Sequence, residues 1–172
     1  MDLAPLTTAR LRLEPVTAEM ARAILAGDMS VLAAAGLTAA EGWPHEDTAD
    51  GLGMIVKTGE ALSWLIVAGG AVIGDCGLHG GPQGGPDGPD GPVSEAGRVE
   101  IGYGLAAPSR GQGYGSEVVA AITEWLLAQP EVRQVRACTL TGNLPSRRVL
   151  EKAGFAYTGT ADGEAVYERC RM

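Results

Sequence analysis

The amino-acid sequence predicts a mixed α/β fold in which helices flank a sheet, and three observations carry this prediction. Apolar residues alternate with small or polar ones over residues 98–105, as expected of a half-buried strand. Apolar residues recur at helical spacing over residues 118–126, which predicts a helix. Within residues 62–78, two apolar runs are joined by Gly69-Gly70, a pair typical of a tight turn between antiparallel strands.

Periodicity and capping residues place the other elements. A first strand is expected over Thr8 to Val16, and Thr17 is able to cap the helix after it. Residues 80–97 are nearly all Gly, Pro, Asp, Ser and Gln, which indicates a mobile loop within a single domain, residues 1–172, and not a domain boundary. The long helix is expected to end near Gln129. The remaining expected elements are helices at 30–35 and about 48–57, a strand from Val135 to Leu140, and a closing antiparallel pair of strands at 155–159 and 165–169.

Composition narrows the class of protein. The chain has 172 residues, of which 45% are hydrophobic and 20% charged, as in an ordinary globular domain with a sizeable core. No apolar run has the length of a membrane span, and residues 1–15 lack the apolar centre of a signal peptide, so we expect a cytoplasmic protein without a membrane partner. The net charge of −8 argues against nucleic acid as a partner.

The cysteines indicate neither a disulfide framework nor a metal site. Cys76, Cys138 and Cys170 are odd in number and widely spaced, with no CxxC pair, so reduced thiols and no metal are expected. A cysteine nucleophile is disfavoured because no obvious set of histidine and carboxylate partners accompanies any of the three.

Residues 110–115, Arg-Gly-Gln-Gly-Tyr-Gly, separate the predicted strand from the long helix. Glycines let the backbone approach ligand oxygens closely, and a helix start favours negative charge, so the turn predicts a phosphate-bearing ligand. A P-loop would need Gly-Lys-Ser/Thr, and the dinucleotide fingerprint would need Gly or Ala where Ser116 stands. The hexapeptide instead resembles the pyrophosphate loop, Arg/Gln-x-x-Gly-x-Gly/Ala, of the GCN5-related N-acetyltransferases (GNATs), which bind acetyl-CoA.

A second motif, residues 143–155, is similar to another signature of the same family, Asn-x-x-Ser followed by apolar residues and Glu-Lys-x-Gly-Phe. Asn143 suits a helix N-cap that accepts from the N–H of Ser146, and Gly154 suits a left-handed cap. Residues 8–13, Thr-Ala-Arg-Leu-Arg-Leu, resemble the opening of the ribosomal-protein alanine N-acetyltransferase branch.

The resemblance implies the acyl-CoA N-acyltransferase fold, a mixed, mostly antiparallel twisted sheet flanked by helices, with acetyl-CoA as co-substrate. In that family the fourth and fifth strands splay apart and pantetheine lies in the gap, bonded to backbone at positions that match Leu105 and Ala107. The positions expected to bind the cofactor are Leu105, Ala107, Arg110, Gly111, Gln112, Gly113, Tyr114, Gly115, Ser116, Asn143, Ser146 and Arg148.

The implied reaction is direct attack of a primary amine, protein N-terminal or small-molecule, on the thioester in a ternary complex. The amine must lose a proton, and Glu100 is the candidate base; pairing with a neighbouring arginine is an equally favoured role for it. His79 on the acceptor side is the rival. Many relatives protonate the leaving thiolate with a tyrosine, but Leu150 stands at that position, so Ser146 becomes the better candidate donor, with Tyr103 and Tyr114 behind it. For Tyr114, packing of the ring near the loop is the favoured role.

Trp43 and His45, in the irregular stretch 41–47, are expected to line the acceptor pocket, with acidic neighbours that favour a cation. Two interpretations compete for Trp43, because a tryptophan there is equally suited to pack the helices onto the sheet. The competing function is a non-catalytic CoA-binding regulatory module on the same fold, and association into a homodimer is left open.

Overall fold

The computed structural model describes residues 3–79 and 97–171, which form two compact units. Unit 1 comprises Met1–Gly77 and Tyr103–Tyr114, and unit 2 comprises Leu78–Gly102 and Gly115–Met172. Apart from Gly97, the loop expected at 80–97 lies outside the described residues.

The sheet of unit 1 is built mainly from antiparallel strands. Neighbouring strands follow the order β1-β2-β4-β5, and the short β3 pairs in parallel with β5. The end of the next strand, β6, continues the sheet, because the N–H of Ala106 donates to the carbonyl of Ile73 at 2.8 Å. The strands are β1 Leu6–Thr7, β2 Arg12–Pro15, β3 Thr38–Ala39, β4 Ser63–Ala68, β5 Ala71–Leu78 and β6 Arg98–Leu105. Only residues 71–77 of β5 and residues 103–105 of β6 belong to this unit.

Three helices cover the core of unit 1: α1 Ala18–Leu25, α2 Ser30–Ala34 and α3 Thr48–Thr58. The hydroxyl of Thr17 accepts from the N–H of Met20 at 3.1 Å, which confirms the predicted N-cap of α1. The helices bury their apolar faces in one cluster with the strands. This cluster contains Val16, Ala21, Ile24, Leu32, Leu37, Trp43, Leu52, Ile55, Leu65, Val67, Val72 and Ala106.

Unit 2 contains the start of β6 and a second set of strands in the order β6-β7-β9-β8. β6 and β7 run parallel, from Arg98↔Gln134 to Ile101↔Ala137, and the other neighbours are antiparallel. The elements after β6 are α4 Tyr114–Ala128, β7 Gln134–Leu140, α5 Leu144–Lys152, β8 Ala156–Ala161 and β9 Glu164–Cys170.

The predicted mixed α/β fold with a mostly antiparallel sheet is confirmed, with one correction near the start of the chain. The strand expected over residues 8–16 begins only at Arg12. Thr8 bonds locally, because its N–H donates to the carbonyl of Leu11 at 2.9 Å and its hydroxyl accepts from the N–H of Leu11 at 3.0 Å. These bonds close a turn between β1 and β2, an alternative to the sheet ladder that threonine side chains readily offer.

Two further observations concern composition. The three cysteines are free thiols, of which Cys76 is buried and Cys170 exposed. Over residues 3–79 and 97–171, none of the helices is both long enough and apolar enough to cross a membrane.

Candidate functional site

The glycine-rich turn, residues 110–114, follows β6 in unit 1. A 3-10 helix, Ala107–Ser109, follows the strand, because Pro108 lacks the N–H that a continued strand would need. Gly111 and Gly113 have φ angles of 76° and 83°, a backbone conformation that side chains with a Cβ rarely adopt. Among the described residues, no backbone hydrogen bond uses the N–H groups of residues 111–113 as donors. A turn with consecutive unused N–H groups is an anion-binding concavity.

Two side chains of the turn fold back on the segment that precedes it. The Nε–H of Arg110 donates to the carbonyl of Leu105 at 2.9 Å, and the side-chain amide of Gln112 donates to the carbonyl of Pro108 at 3.1 Å. These bonds tie the turn to the end of β6, so its conformation is set before any ligand binds.

Arg10, which lies near the start of the sequence, contacts the turn directly. Its Nη1 donates to the carbonyl of Gln112 at 2.9 Å, and its guanidinium carbon lies 4.5 Å from the ring centroid of Tyr114, a cation–π contact. Sequence reasoning gave Arg10 no role, although it belongs to the opening motif, because its partners lie about a hundred residues away along the chain. The ring of Tyr114 is packed beside the turn, as the sequence favours.

A second group of polar side chains in unit 1 contacts the carboxylate of Asp75 in β5. Two hydrogen bonds reach its Oδ2, from the indole N–H of Trp43 at 2.8 Å and from the hydroxyl of Thr48 at 2.7 Å. Nε2 of His45 lies 3.2 Å from the same oxygen without hydrogen-bond geometry. The Asp75 side chain is 14% exposed. Sequence reasoning missed this residue, although an aspartate within the otherwise apolar run 71–78 was a usable signal.

His45 is fixed between β5 and β6. Its side chain is 7% exposed, and a Cβ on Gly104 would overlap its ring, so the ring covers the strand where a side chain is missing. The N–H of Asp47 donates to Nδ1 at 3.3 Å, which places the ring proton of the neutral form on Nε2, facing Asp75. The contact with Asp75 raises the pKa of His45, against the opposing effect of burial.

Trp43 is 5% exposed and belongs to the apolar cluster of unit 1. This burial favours the packing interpretation of Trp43, while its N–H links the core to Asp75. Its expected role in an acceptor pocket stays a prediction.

Glu100 and His79 lie in unit 2. The Glu100 side chain is 10% exposed, and its Oε2 lies 3.6 Å from Nε of Arg136. Burial, together with the negative charge of Glu100, raises the pKa of the Cys138 thiol. His79 is exposed, its N–H donates to the carbonyl of Glu100 at 2.8 Å, and its ring covers Gly102 as that of His45 covers a glycine in unit 1.

Helix α5 carries the second motif. The side chain of Asn143 accepts from the N–H of Ser146 at 3.2 Å, which confirms the predicted N-cap. Ser146 is half-buried, Arg148 is exposed, and Leu150 is 1% exposed, in the interior of the unit.

The remaining expected site residues include Tyr103 and Leu105, which are half-buried on β6, and Ala107, which is exposed. Gly115 is buried and Ser116 half-buried in the first turn of α4. The expected residues therefore divide between the units. Unit 1 contains Trp43, His45, Tyr103, Leu105, Ala107 and residues 110–114, and unit 2 contains His79, Glu100, Gly115, Ser116, Asn143, Ser146 and Arg148.

Comparison with known proteins agrees with these features. Residues 10–156 match the family model of the acetyltransferase (GNAT) domain. The uncharacterized N-acetyltransferase YjdG of Bacillus subtilis (strain 168) is 27% identical over 159 residues, 87% of this chain and 88% of YjdG. A structure of the aminoglycoside acetyltransferase AAC(6')-Ib with coenzyme A and kanamycin has a TM-score of 0.66 and 25% identity, and covers 94% of this chain and 95% of that one.

The branch of the family suggested by residues 8–13 also has a counterpart in fold. RimL, a ribosomal L7/L12 alpha-N-protein acetyltransferase solved with coenzyme A, has a TM-score of 0.63 and 17% identity, covering 97% of this chain and 98% of RimL. Because the family model spans most of the sequence, the predicted family and enzyme class are confirmed, and the chain belongs to the GNAT acetyltransferases.

Proposed function

We propose that this enzyme transfers the acetyl group of acetyl-CoA to a primary amine, protein N-terminal or small-molecule, by direct attack in a ternary complex. Acetyl-CoA is the co-substrate of this acetyltransferase, and its thiol product, coenzyme A, is bound in the solved complexes of AAC(6')-Ib and RimL. The observation that carries the proposal is the turn at 110–114, whose unused N–H groups suit the diphosphate of the cofactor.

Positive charge supports the same assignment. Arg10 and Arg110 both lie at the turn, and each holds the backbone there through a hydrogen bond. Hydrogen bonds from charged donors to phosphate are stronger than neutral ones, so two guanidinium groups beside a diphosphate favour binding of the intact cofactor over its pantetheine part.

In the proposed step the nitrogen lone pair of the amine attacks the thioester carbonyl carbon, the C–S bond breaks, and its electron pair leaves on the coenzyme A thiolate. The attacking nitrogen loses a proton to a base, for which we propose Glu100, the buried carboxylate of β6. Ser146, or else Tyr103, is proposed to protonate the thiolate. The ion pair of Glu100 with Arg136 is the competing, structural role for this carboxylate.

Two classes of acceptor are supported by the relatives. Kanamycin, a small molecule with amino groups, is bound in the AAC(6')-Ib complex. The name of RimL describes it as an acetyltransferase of a protein α-amino group. The net charge of −8 favours a cationic acceptor of either class, because it attracts such molecules at long range.

The test is release of free coenzyme A thiol from acetyl-CoA with a panel containing kanamycin, polyamines and N-terminal peptides. We expect at least one amine to accelerate thiol release and to appear as its N-acetyl product by mass spectrometry. Tight acetyl-CoA binding without acetylation of any amine would favour the non-catalytic CoA-binding module instead. Retained activity in Glu100→Gln would transfer the role of base to His79 or to solvent.

A further inference from the structure

We infer that the carboxylate of Asp75 binds the ammonium group of the acceptor through its Oδ1. This inference rests on the proposed function, since it assigns the acceptor site of the same reaction. Asp75 lies in a strand whose other residues, 71–74 and 76–78, are apolar or glycine. A largely buried carboxylate in such a strand is costly unless it is hydrogen-bonded, so the surroundings of Asp75 indicate what it does.

The partners of Asp75 are arranged asymmetrically. Trp43, Thr48 and His45 all contact Oδ2, at 2.7 to 3.2 Å. Oδ1 has no partner among the described residues. In the described part of the chain, the side-chain atoms that are buried without a hydrogen bond belong to other residues. Because Oδ1 has no hydrogen bond and is not one of these buried atoms, it is accessible to solvent. An ionised carboxylate accepts through both oxygens, so one oxygen is fixed by the fold and the other remains available to a ligand.

The position of this oxygen suits the acceptor side of the reaction. The bond from Ala106 to Ile73 sets an antiparallel register in which Asp75 lies opposite Gly104. Gly104 directly precedes Leu105, where the family resemblance expects the pantetheine arm. A cation held by Asp75 therefore lies across the strand pair from the backbone assigned to the cofactor.

The chemistry of the site specifies the ligand class. A carboxylate that is held by two hydrogen bonds and a close imidazole loses little conformational freedom when it binds a cation. A charge-assisted hydrogen bond to ammonium is also stronger than one to a neutral hydroxyl. Alkyl amines are almost fully protonated at neutral pH and α-amino groups are mostly so, and each must lose that proton before its nitrogen attacks the thioester. The site would therefore select protonated amines over neutral analogues at the binding step.

The experiment measures binding to the full chain loaded with coenzyme A. The two probes are n-butylammonium and its neutral analogue 1-butanol, and ligand-observed NMR titration gives their dissociation constants. We expect the wild-type protein to prefer the cation by about tenfold or more. Asp75→Asn should abolish the preference, and Asp50→Asn, which removes an exposed acid in the first turn of α3, should retain it.

A preference retained in Asp75→Asn, or no preference in the wild type, overturns the inference. If Asp75→Asn melts below the assay temperature, Asp75→Ser, which keeps an oxygen near the Trp43 and Thr48 donors, takes its place, and a cation preference retained in that variant overturns the inference. Acetylation assays on the same variants separate the two proposals. Butylammonium bound through Asp75 without acetylation of any amine would contradict the proposed function alone. Acetylation with an unchanged acceptor KM in Asp75→Asn would contradict this inference alone.

Discussion

Replacing Trp43 by alanine should destabilise the protein strongly. The side chain is 5% exposed within the apolar cluster of unit 1, and its N–H donates to Asp75 at 2.8 Å. Truncating a buried tryptophan costs about 3–5 kcal/mol of unfolding free energy because it leaves a cavity. For a chain of this size, 1 kcal/mol corresponds to about 2–4 °C, so the melting temperature should fall by roughly 6–20 °C.

Trp43→Phe is the matched control, because it keeps most of the ring and removes the indole N–H. Thr48 and His45 still contact the carboxylate in that variant, so the loss should be about 1.5–3 kcal/mol. Thermal and urea unfolding measure both variants, and calorimetric titration checks that acetyl-CoA affinity is kept. A melting temperature within about 2 °C of the wild type, together with a changed acceptor KM, would refute the packing role and place Trp43 in the acceptor pocket.

Three further predictions concern charged groups. Arg10→Ala should raise the KM for acetyl-CoA by about tenfold and leave the KM for acetyl-pantetheine, which lacks the diphosphate, unchanged. The control Arg12→Ala should alter neither KM. Equal effects of Arg10→Ala on both acetyl donors would show that Arg10 does not contact the diphosphate. The pKa of His45 is raised above its ordinary 6.5, so its pairing with Asp75 stabilises the fold fully below that value and is lost as pH rises through the folded-state pKa. His45→Gln should therefore cost more unfolding free energy at about pH 5.5 than at about pH 9, and the opposite trend in urea titrations would reject the ion pair. Glu100→Gln should lower kcat with little change in acetyl-CoA affinity; kinetics that match the wild type would leave that carboxylate a structural role.

Features that depend on neighbouring residues could be predicted from the sequence. The cap of α5 needs only Asn143 and a backbone N–H three residues on, and the turn at 110–114 follows from glycine spacing after a strand. The same local rules placed α1, α3 and the β4–β5 pair within a few residues of their observed ends.

Features made by distant residues could not be predicted in the same way. Arg10 contacts the turn only once the chain has folded, and the same is true of the contacts of Asp75 with Trp43 and with Thr48 at the start of α3. Periodicity also misplaced the first strand, because the local bonds of Thr8 outweighed the alternation of apolar residues. The contacts that position the site are therefore long-range, while the motifs that identify it are short-range.

Calorimetric titration of acetyl-CoA into Gly113→Ala tests the central claim, that the turn at 110–114 holds the cofactor diphosphate. The φ of 83° makes any Cβ there cost about 1–2 kcal/mol, so the turn should leave its binding conformation. Gly163→Ala is the matched control, with a φ of 85° and open space around it in the β8–β9 turn. We predict that Gly113→Ala binds acetyl-CoA at least about tenfold more weakly than the Gly163→Ala control, with equal affinity for acetyl-pantetheine. Equal acetyl-CoA affinity in the two folded variants would contradict the assignment of the turn to the diphosphate.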